Sequence, residues 1–301
     1  MTHSPSVFIV VLSNNRLDDT LACLASISQN NYKNCRVISL VNDPRAGFAE
    51  TIQQKYPEVQ IISLFENLGY AGNNNIGIKA SMKQGADWIF ILNDDTVLHP
   101  SCISSLVEVG ESDPAIGIVG PMVYHFDEPD IIQSAGGRLG WNWQSMHLDM
   151  NQPDTGQYLS ARQVDWISGC AILVRRGLVE QVGALDPDYY LYWEEMEWSI
   201  RATRAGWKVF HVPGAKLWHR GVKRDYEPRP YVTYYMTRNY LHTLVKHRAP
   251  FLVRVSALTY VLRTLLSWSV KPQWRYKRDH RNAMWKGLLD FINNRMGPMH
   301  F

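Results

Sequence analysis

Two adjacent carboxylates follow a strongly apolar stretch of the chain. Residues 88–92 (Trp-Ile-Phe-Ile-Leu) lead directly into Asn93-Asp94-Asp95-Thr96. A solvated turn would accommodate these residues, because Asn and Asp favour turns. Hard divalent cations, however, prefer carboxylate oxygens and keep substrate phosphates as further ligands. The pair therefore indicates a site where Mg²⁺ or Mn²⁺ bridges the protein to a diphosphate.

A cluster of glutamates opens a predicted helix over residues 194–205. Acidic residues are favoured in the first turn of a helix because they interact with its dipole. Glu197 and Arg201 are four residues apart and are expected to pair on one face. Glu194 and Glu195 lie about 100° apart around a helix, so we expect only one of them to point into a given site.

Glu195 is the acid of this cluster without an obvious partner. Trp193 and Trp198 flank it in the sequence, and their rings would remove water from its carboxylate. Loss of water raises the pKa of a carboxyl group towards neutrality, where it is a better general base. Glu195 is therefore the predicted catalytic base, and Trp193 and Glu194 are predicted to contact the acceptor that it deprotonates.

Two further motifs could bind an anionic ligand. Residues 67–77 (Asn-Leu-Gly-Tyr-Ala-Gly-Asn-Asn-Asn-Ile-Gly) open a predicted helix. Their spacing fits neither the dinucleotide-binding fingerprint nor the P-loop. The free amides of a helix N-terminus nevertheless attract anions, although the glycines could serve only close packing. The second motif, residues 218–221 (Trp-His-Arg-Gly), places His219 beside Arg220 with further basic residues close behind.

Alternating strands and helices must position these motifs. Apolar runs separated by helical stretches indicate a mostly parallel sheet with helices on both faces. Ligands bind such sheets at the carboxyl ends of the strands, so residues 13–16, 42–45, 66–75 and 93–96 are expected to meet at one site. The predicted strands cover residues 7–12, 36–41, 59–64, 88–92 and 165–174, and the predicted helices cover residues 17–29, 47–56, 71–84 and 194–205.

An irregular segment lies between the last two of these strands. Residues 136–162 mix Gly, Trp, Asn, Gln and Met without a period and predict a long loop. Its aromatic residues Trp141, Trp143 and Tyr158 could stack on a sugar face, although loop aromatics also fold back onto a domain. Trp141 is the one that we expect to contact an acceptor.

The composition indicates one large α/β domain with an appendage. The chain has 301 residues, of which 46% are hydrophobic and 20% charged, with a net charge of +3. This composition allows a sizeable core and disfavours disorder. The four cysteines show neither metal nor redox spacing and are expected to be reduced, as in a cytosolic protein. The apolar run at residues 6–12 is too short to span a bilayer and predicts neither a signal peptide nor an anchor.

Beyond a predicted catalytic domain of residues 1–224, residues 225–301 are expected to be helical, basic and amphipathic. Residues 250–270 are apolar, but Arg254 and Arg263 interrupt them, and a membrane-spanning helix tolerates such charges poorly. An apolar face beside a basic, Trp-rich stretch is typical of a helix in the membrane interface. We therefore predict a peripheral protein on the inner face of the cytoplasmic membrane. Packing against the catalytic domain or a homodimer contact are the alternatives.

The ordered series of these motifs resembles the inverting family-two glycosyltransferases, especially their rhamnosyltransferase branch. The resemblance runs from about residue 6 to residue 224, and its specificity lies in the order rather than in any single motif. The series comprises Ser13-Asn14-Asn15-Arg16, the 67–75 loop, Leu92 to Thr96, Ser168-Gly169-Cys170-Ala171, Leu191 to Glu195, Arg204-Ala205-Gly206 and Trp218 to Gly221.

This resemblance implies an A-type glycosyltransferase fold, a mostly parallel central sheet flanked by helices, followed here by a helical C-terminal extension. It implies a nucleoside diphosphate sugar as donor and Mg²⁺ or Mn²⁺ as cofactor. Asp95 would contact the metal with Asp94 beside it, His219 would lie near the metal and the diphosphate, and Glu195 would be the base. The residues assigned to donor binding are Ser13, Asn15, Arg16, Asp43, Asn67, Gly69, Gly72, Asn73, Asn93 and Asp94.

Three positions depart from the family pattern. Glu195 stands where the family usually has Asp, so the predicted base has a longer side chain. Asn93 replaces the first acid of an Asp-x-Asp pattern, which weakens the expected metal site. Asp43 follows Asn42 in the reverse of the usual order, so an acid that reads the nucleotide base would do so from a shifted position.

The predicted function is inverting transfer of a sugar, best matched by L-rhamnose from a deoxythymidine diphosphate donor, onto a saccharide or lipid-linked saccharide in surface polysaccharide assembly. A hexosyl or galactofuranosyl transferase with a uridine diphosphate donor is the alternative. A nucleotidyltransferase fits less well, because residues 13–16 contain no glycine. A non-catalytic sugar-binding module would release no nucleotide from a sugar nucleotide. A nucleic-acid partner is not expected, because no recognised nucleic-acid-binding motif is present.

Overall fold

The structure is a computed structural model that describes residues 4–13, 16–42, 47–221, 223–224 and 226–299, with only the backbone described at Asn42. Two residues predicted to bind the donor, Asn15 and Asp43, lie outside the described residues.

The first part of the chain alternates strands and helices. Each major strand is a run of Val, Ile, Leu or Phe, as expected for strands that are covered on both faces. The elements are β1 (Val7–Ser13), α1 (Leu17–Ser28), β2 (Cys35–Asn42), α2 (Phe48–Lys55), β3 (Gln60–Leu64), α3 (Gly69–Lys83), β4 (Trp88–Asn93), β5 (Thr96–Leu98) and α4 (Cys102–Glu111). The sequence predicts seven of these nine elements, with bounds within two residues of those observed.

The second part adds strands to the same sheet and ends in three long helices. Its elements are β6 (Ile116–His125), β7 (Ile132–Ser134), β8 (Gly137–Leu139), β9 (Ser145–His147), β10 (Arg162–Gln163), β11 (Ala171–Arg175), α5 (Arg176–Val182), α6 (Glu194–Arg204), β12 (Lys208–His219), α7 (Pro230–Lys246), α8 (Phe251–Val270) and α9 (Arg278–Ile292). Short 3-10 turns precede α6 and α9. The start of α6 agrees with the prediction, and Gly206 follows this helix with a φ of 94°.

Two predictions in this region are wrong. The segment 136–162 is not one irregular loop, because β8 and β9 pair as an antiparallel hairpin. These strands have three residues each, too few to show a period of two. The strand predicted over 165–174 begins only at Ala171. Before it, the chain turns towards the hairpin, where Asp165 accepts a hydrogen bond from the Leu139 amide and Trp166 accepts one from the Gly137 amide.

Ten strands form one sheet among the described residues, in the order β10-β12-β6-β11-β4-β1-β2-β3, with β5 and β7 on its margins. Strands β3, β2, β1 and β4 are parallel, β11 runs antiparallel between β4 and β6, and β12 is parallel to β6. The predicted mostly parallel central sheet is therefore confirmed.

The register of the sheet determines which residues meet at its carboxyl edge. Leu12 of β1 lies opposite Asn93 of β4, and Ser13 lies opposite Val41 of β2. Apolar layers cover both faces of the sheet, with Leu24 of α1 in one and Ile78 of α3 in the other. The covered faces leave the carboxyl edge as the place where ligands can approach.

The three C-terminal helices share a core with the loop that precedes α6. Leu241 and Leu244 of α7 belong to one buried cluster with Trp193 and Met196. Among the described residues, α8 is long and apolar enough to cross a membrane, by length and composition alone. The domain boundary at residue 224 stays a prediction, although α7 packs directly against the first turn of α6.

Candidate active site

A cavity of about 300 Å³ opens at the carboxyl ends of β1 and β4. It joins segments that are far apart in the sequence but adjacent in the sheet register. Its lining residues are Leu12, Ser13, Asn67, Gly69, Tyr70, Asn73, Asn93, Asp94, Asp95, Tyr190 and Leu191. Six of the ten predicted donor-binding residues and the predicted metal ligand Asp95 are thereby brought together.

The loop before α3 is held open towards this cavity by its own side chains. Asn67 Oδ1 accepts hydrogen bonds from the Gly69 amide at 3.0 Å and from Asn73 Nδ2 at 3.2 Å. Asn73 Oδ1 in turn accepts one from the Leu68 amide at 3.1 Å. The network fixes the first turn of α3 at the cavity wall and already uses the Leu68 and Gly69 amides, while the Ala71 amide donates to the Tyr190 carbonyl at 3.4 Å.

Glycine is required at the point where this loop meets the loop before α6. Gly69 has a φ of 73°, and a Cβ atom there would overlap the carbonyl oxygen and the ring of Tyr190. Only glycine combines this backbone conformation with such a close approach. Gly72 lies one turn further into α3, does not line the cavity, and packs against Leu68.

Asp95 and His219 face each other at the edge of the cavity. The Asp95 Oδ1 atom lies 3.1 Å from His219 Nε2, and the Arg16 guanidinium lies 3.9 Å from Asp95 Oδ2. Burial would raise the pKa of Asp95, but the contact with His219 and the positive charge of Arg16 lower it below its ordinary value. Asp95 is therefore held as a carboxylate.

The histidine ring is oriented by Gln133. His219 Nδ1 lies 2.7 Å from Gln133 Oε1, which can only accept a hydrogen bond, so Nδ1 carries a hydrogen. When the ring is protonated, Nε2 donates to Asp95 Oδ1, which is how His219 lowers the pKa of Asp95; when the ring is neutral, its Nε2 lone pair faces the same oxygen. Two lone pairs that converge in this way fit a bound cation, which is also how metal-ligating histidines are oriented.

Few other protein groups are available as metal ligands. Within the part of the chain that the structure describes, no group of three or more His, Cys, Asp or Glu side chains converges on one point. Asp94 is buried and accepts a hydrogen bond from Thr20 Oγ1 at 2.9 Å. Asn93 Nδ2 lies 3.5 Å from His219 Nε2. A Mg²⁺ or Mn²⁺ ion would therefore need oxygens from a diphosphate and from water, as Mg²⁺ commonly does.

Glu194 and Glu195 form a second acidic pair at the start of α6. Burial raises the pKa of Glu195 to about 7, although the backbone amides of Glu195 and Met196 oppose this shift. Burial, followed by the charge of Glu195, raises the pKa of Glu194 well above its ordinary value. One carboxylate oxygen of each residue, Oε2, is buried without a hydrogen-bond partner among the described residues. The pair can therefore accept a proton near neutral pH.

Tyr70 and Gly169 lie against these carboxyls. A Cβ atom at Gly169 would lie 3.7 Å from the carboxyl carbon of Glu195 and 3.4 Å from the Tyr70 hydroxyl. That hydroxyl donates a hydrogen bond to the Gly169 carbonyl. Burial and then the charges of Glu194 and Glu195 raise the pKa of Tyr70. Since Tyr70 also lines the cavity, it connects the acidic pair to the donor side.

The expectation that only one of these glutamates points into a given site stays a prediction. Each carboxyl influences Tyr70, and the charge of Glu195 contributes to the pKa shift of Glu194. Glu197, by contrast, pairs with Arg201 at 2.8 Å as predicted.

The predicted acceptor residues occupy different environments. Trp193 is buried against Tyr240 at a ring distance of 5.1 Å, and its Nε1 has no partner among the described residues. Glu194 is buried beside it. Trp141 lies on the β8–β9 hairpin with 74% of its surface exposed, and it is not among the residues that line the donor cavity. The acceptor roles of these residues stay predictions.

Sequence reasoning did not assign Tyr70, Tyr190, Leu191 or Gln133 to the site. Tyr70 lies within the predicted 67–77 motif, so its position was visible although its role was not. Gln133 belongs to β7, a strand of three residues that the sequence pattern does not reveal. Tyr190 and Leu191 enter the cavity because their backbone turns sharply before α6, and no local pattern predicts this turn.

The fold and this arrangement of side chains match known proteins. The chain belongs to the family described as "Glycosyltransferase like family 2", whose model matches residues 5–249. It is therefore a family-two glycosyltransferase, and the predicted resemblance is confirmed.

Two relatives with named activities support the rhamnosyltransferase-like branch. The "N-acetylglucosaminyl-diphospho-decaprenol L-rhamnosyltransferase" of Mycobacterium tuberculosis (strain CDC 1551 / Oshkosh) is 28% identical over 253 residues, which cover 75% of this chain and 81% of the relative. The "dTDP-rhamnosyl transferase RfbF" of Shigella flexneri is 24% identical over 293 residues, which cover 93% of this chain and 94% of the relative.

A solved structure confirms the A-type glycosyltransferase fold. The crystal structure of GalNAc-T7 with UDP, GalNAc and Mn²⁺ superposes with a TM-score of 0.65 at 15% identity. The superposition covers 96% of this chain, which spans 58% of the chain of that structure.

Proposed function

We propose that this protein transfers L-rhamnose, with inversion, from a deoxythymidine diphosphate donor to a lipid-linked saccharide in cell-surface polysaccharide assembly. The observation that carries the proposal is one cavity whose wall includes Asp95, which contacts His219, and Tyr70, which lies against the buried acidic pair Glu194–Glu195. The activities named for the two relatives support the choice of rhamnose and of a lipid-linked acceptor.

On the donor side, we assign metal binding to Asp95 and His219. A Mg²⁺ or Mn²⁺ ion held there would neutralise the charge that develops on the leaving diphosphate. The loop before α3 would contact the same donor, because Asn67, Gly69 and Asn73 line the cavity. Arg16 lies beside Asp95 and adds positive charge.

On the acceptor side, Glu195 is the proposed base. The acceptor hydroxyl transfers its proton to the Glu195 carboxylate while its oxygen forms the new bond to the anomeric carbon. The bond between that carbon and the diphosphate oxygen breaks in the same step, and inversion follows from attack on the opposite face. A pKa of about 7 leaves a large share of Glu195 ionised at neutral pH and able to accept the proton.

The acceptor lipid is proposed to approach along the C-terminal helices. A cavity of about 440 Å³ between α7, α8 and α9 is lined largely by apolar side chains and reaches Trp193. Its wall includes Val232, Met236 and Met284. Trp193 lines this cavity and directly precedes Glu194 and Glu195 in the sequence, which supports Trp193 as an acceptor contact.

The outer face of α8 suits a membrane containing anionic lipids. Val253, Ala257, Val261 and Leu265 are buried, whereas the opposite face exposes apolar residues together with Arg254 and Arg263. Because one face of α8 packs on the protein, we propose that the helix lies in the interface rather than across the bilayer. The exposed apolar residues of α8 are Phe251, Leu252, Val255, Leu258, Tyr260, Leu262, Leu266 and Val270. A protein docked in this way would work at the cytoplasmic face of the membrane, where we place it.

The proposal is tested by donor selection. The purified protein is incubated with Mn²⁺, an N-acetylglucosaminyl-diphospho-polyprenol and one of two donors, dTDP-L-rhamnose or UDP-galactofuranose. Mass spectrometry of the lipid product should show rhamnose from the first donor. If only galactofuranose is transferred, the proposed donor is wrong. If no sugar is transferred and no sugar nucleotide releases its nucleotide, the proposal that this protein is an enzyme is rejected.

A further inference from the structure

The backbone before α6 has an unusual conformation. Tyr190, Tyr192 and Trp193 have φ angles of 62°, 65° and 76°, in the left-handed region that residues with a Cβ atom disfavour. Three such residues within four positions remain in this region only when surrounding groups hold them there. Tyr190 and Leu191 of the segment 189–193 line the donor cavity, and the segment leads directly into Glu194 and Glu195.

A buried amide on α7 holds this segment. Asn239 Nδ2 donates to the carbonyl oxygens of Tyr189 at 3.0 Å, Leu191 at 2.9 Å and Tyr192 at 2.7 Å. An amide nitrogen has two hydrogens, so the whole donor capacity of the Asn239 side chain is directed at this short stretch. Asn239 has no exposed surface, and water therefore cannot replace these hydrogen bonds.

Arg238 determines which way the Asn239 amide faces. Its Nε donates to Asn239 Oδ1 at 2.9 Å, so the Nδ2 side must face the segment 189–193. Its Nη2 donates to the Tyr189 carbonyl at 3.2 Å, and its Nη1 donates to the Gly297 carbonyl at 2.7 Å. The guanidinium is completely buried.

The other end of α7 holds the same catalytic helix. Glu197 lies 2.7 Å from Lys246 Nζ and 3.0 Å from His247 Nε2. Burial would raise the pKa of Glu197, but His247, Arg201 and Lys246 lower it to about 2. Contacts with α7 therefore lie on both sides of the pair Glu194–Glu195 in the sequence.

We propose that Asn239, oriented by Arg238, is a positioning residue for sugar transfer. It holds Tyr190, Tyr192 and Trp193 at the positive φ angles that direct Glu194 and Glu195 towards the donor side of the site. The identity of the reaction rests on the proposed function, whereas the positioning role rests on the hydrogen bonds described here. Helix α7 is then part of the catalytic unit rather than of an appended region.

The first test is Asn239→Ala. Its kcat for rhamnose transfer from dTDP-L-rhamnose should fall about 10- to 100-fold, the range expected when a catalytic group is misplaced. Leu288→Ala is the matched control, because Leu288 is buried on α9 in the cluster that includes Trp193. This variant should lose comparable thermal stability but keep its kcat. An Asn239→Ala protein with the kcat of the wild type would overturn the proposal.

The second test uses the backbone conformation itself. Glycine adopts positive φ angles readily, whereas alanine does not. In the Asn239→Ala background, Tyr192→Gly should therefore restore part of the lost kcat, and Tyr192→Ala should not, although both remove the same aromatic ring. Equal rates for the two double variants would show that Asn239 does not act through the backbone of Tyr192, against the proposal.

Hydrogen exchange separates this proposal from the proposed function. The amides of residues 189–197 should exchange faster in Asn239→Ala than in Leu288→Ala, whichever donor the enzyme uses. If the wild-type protein transfers no rhamnose while this difference is present, the assigned donor is wrong and the positioning role stands. Unchanged exchange in Asn239→Ala would reject the positioning role.

Discussion

At the residue scale, the hydrogen bond from His219 to Gln133 decides how Asp95 can act. With Nδ1 committed to Gln133, a neutral ring has only its Nε2 lone pair to offer, and that lone pair faces a carboxylate oxygen 3.1 Å away. Glu194 and Glu195 contrast with this arrangement, because burial, without an ion pair among the described residues, raises their pKa values. Asp95 is therefore kept ionised, whereas the pKa values of Glu194 and Glu195 are raised. Such a separation of pKa values assigns different acid and base roles to the carboxyl groups of an active site.

Asp95→Ala should reduce sugar transfer by about 100-fold or more, because it removes the carboxylate that binds the metal opposite the leaving diphosphate. The melting temperature should fall only modestly, because Asp95 lies at the cavity edge, although its contacts with His219 and Arg16 outweigh its desolvation. The measurement is the transfer rate over a Mn²⁺ titration. Asp19→Ala is the control, because Asp19 also lies near Arg16 but does not line the cavity. Wild-type activity that survives thorough chelation would contradict the metal assignment.

Glu195→Gln should lower the transfer rate by about 10²–10⁴-fold, the usual effect of removing a general base, and leave nucleotide binding intact. Glu194→Gln is the matched variant, with the same chemical change one residue away. If Glu194→Gln is inactive and Glu195→Gln is active, the base is Glu194. In the wild type, kcat/KM should fall as the pH drops below about 7, because protonation removes the base. A flat profile between pH 5 and pH 8 would exclude this role.

Glu195 should also destabilise the folded protein at alkaline pH. Its folded pKa lies above its unfolded value, so the folded state binds more protons between these two values, and stability decreases as the pH rises through this window. Glu195→Gln should therefore raise the free energy of unfolding at pH 8 by up to about 3 kcal/mol, with a smaller gain at pH 5. Thermal unfolding at the two pH values measures this difference. An equal gain in the free energy of unfolding at pH 5 and pH 8 would show that the effect is not linked to the ionisation of Glu195.

At the element scale, the site depends on how helix ends meet strand ends. The first turn of α3 and the loop before α6 touch at Gly69 and Tyr190, and this contact closes the cavity between them. The strand ends of β1 and β4 follow from apolar runs, so the sequence predicts them and the position of Asp95 beside them. The segment 189–193 could not be predicted, because its left-handed residues are tyrosine and tryptophan rather than glycine, and Asn239 that holds it is 46 residues away from Trp193.

Gly69→Ala should weaken nucleotide binding. The substitution places a Cβ atom against Tyr190 and also strains a left-handed backbone position, which costs about 1–2 kcal/mol. Gly85→Ala is the control, because Gly85 follows the end of the same helix with a φ of 80° but has open space around it. Both variants should lose the stability that backbone strain costs, Gly69→Ala should lose more because of the overlap with Tyr190, and only Gly69→Ala should lose affinity for dTDP in calorimetry. Equal affinities would show that the contact with Tyr190 does not shape the donor site.

At the scale of the whole molecule, the protein has a buried catalytic edge and an apolar outer face. The sheet and its helices were predictable because strands covered on both faces give continuous apolar runs, and the carboxyl edge followed from the fold class. The role of α7 was hidden, because a buried Arg238 and Asn239 look like surface residues in a basic sequence. Their burial becomes apparent only when the loop carbonyls that they bind are known.

Membrane binding can be tested on the outer face of α8. Leu262→Glu combined with Leu266→Glu should abolish sedimentation with vesicles that contain anionic lipid, since both side chains are exposed and would carry charge into the interface. Leu159→Glu is the control, because Leu159 is 93% exposed but lies far along the chain from the C-terminal helices. Wild-type binding should weaken at high salt, where headgroup attraction is screened. Equal sedimentation of all three proteins would reject docking through α8.

The segment 189–193 also has a consequence for the order of events in a catalytic cycle. Its residues Tyr190 and Leu191 line the donor cavity, and its last residue is bonded directly to Glu194. A donor that fills the cavity would press against the same short stretch that positions the base. Kinetically, this coupling predicts a sequential ordered mechanism in which the sugar nucleotide binds first and the free nucleotide leaves last. In product-inhibition experiments, the nucleotide should then compete with the donor and not with the acceptor.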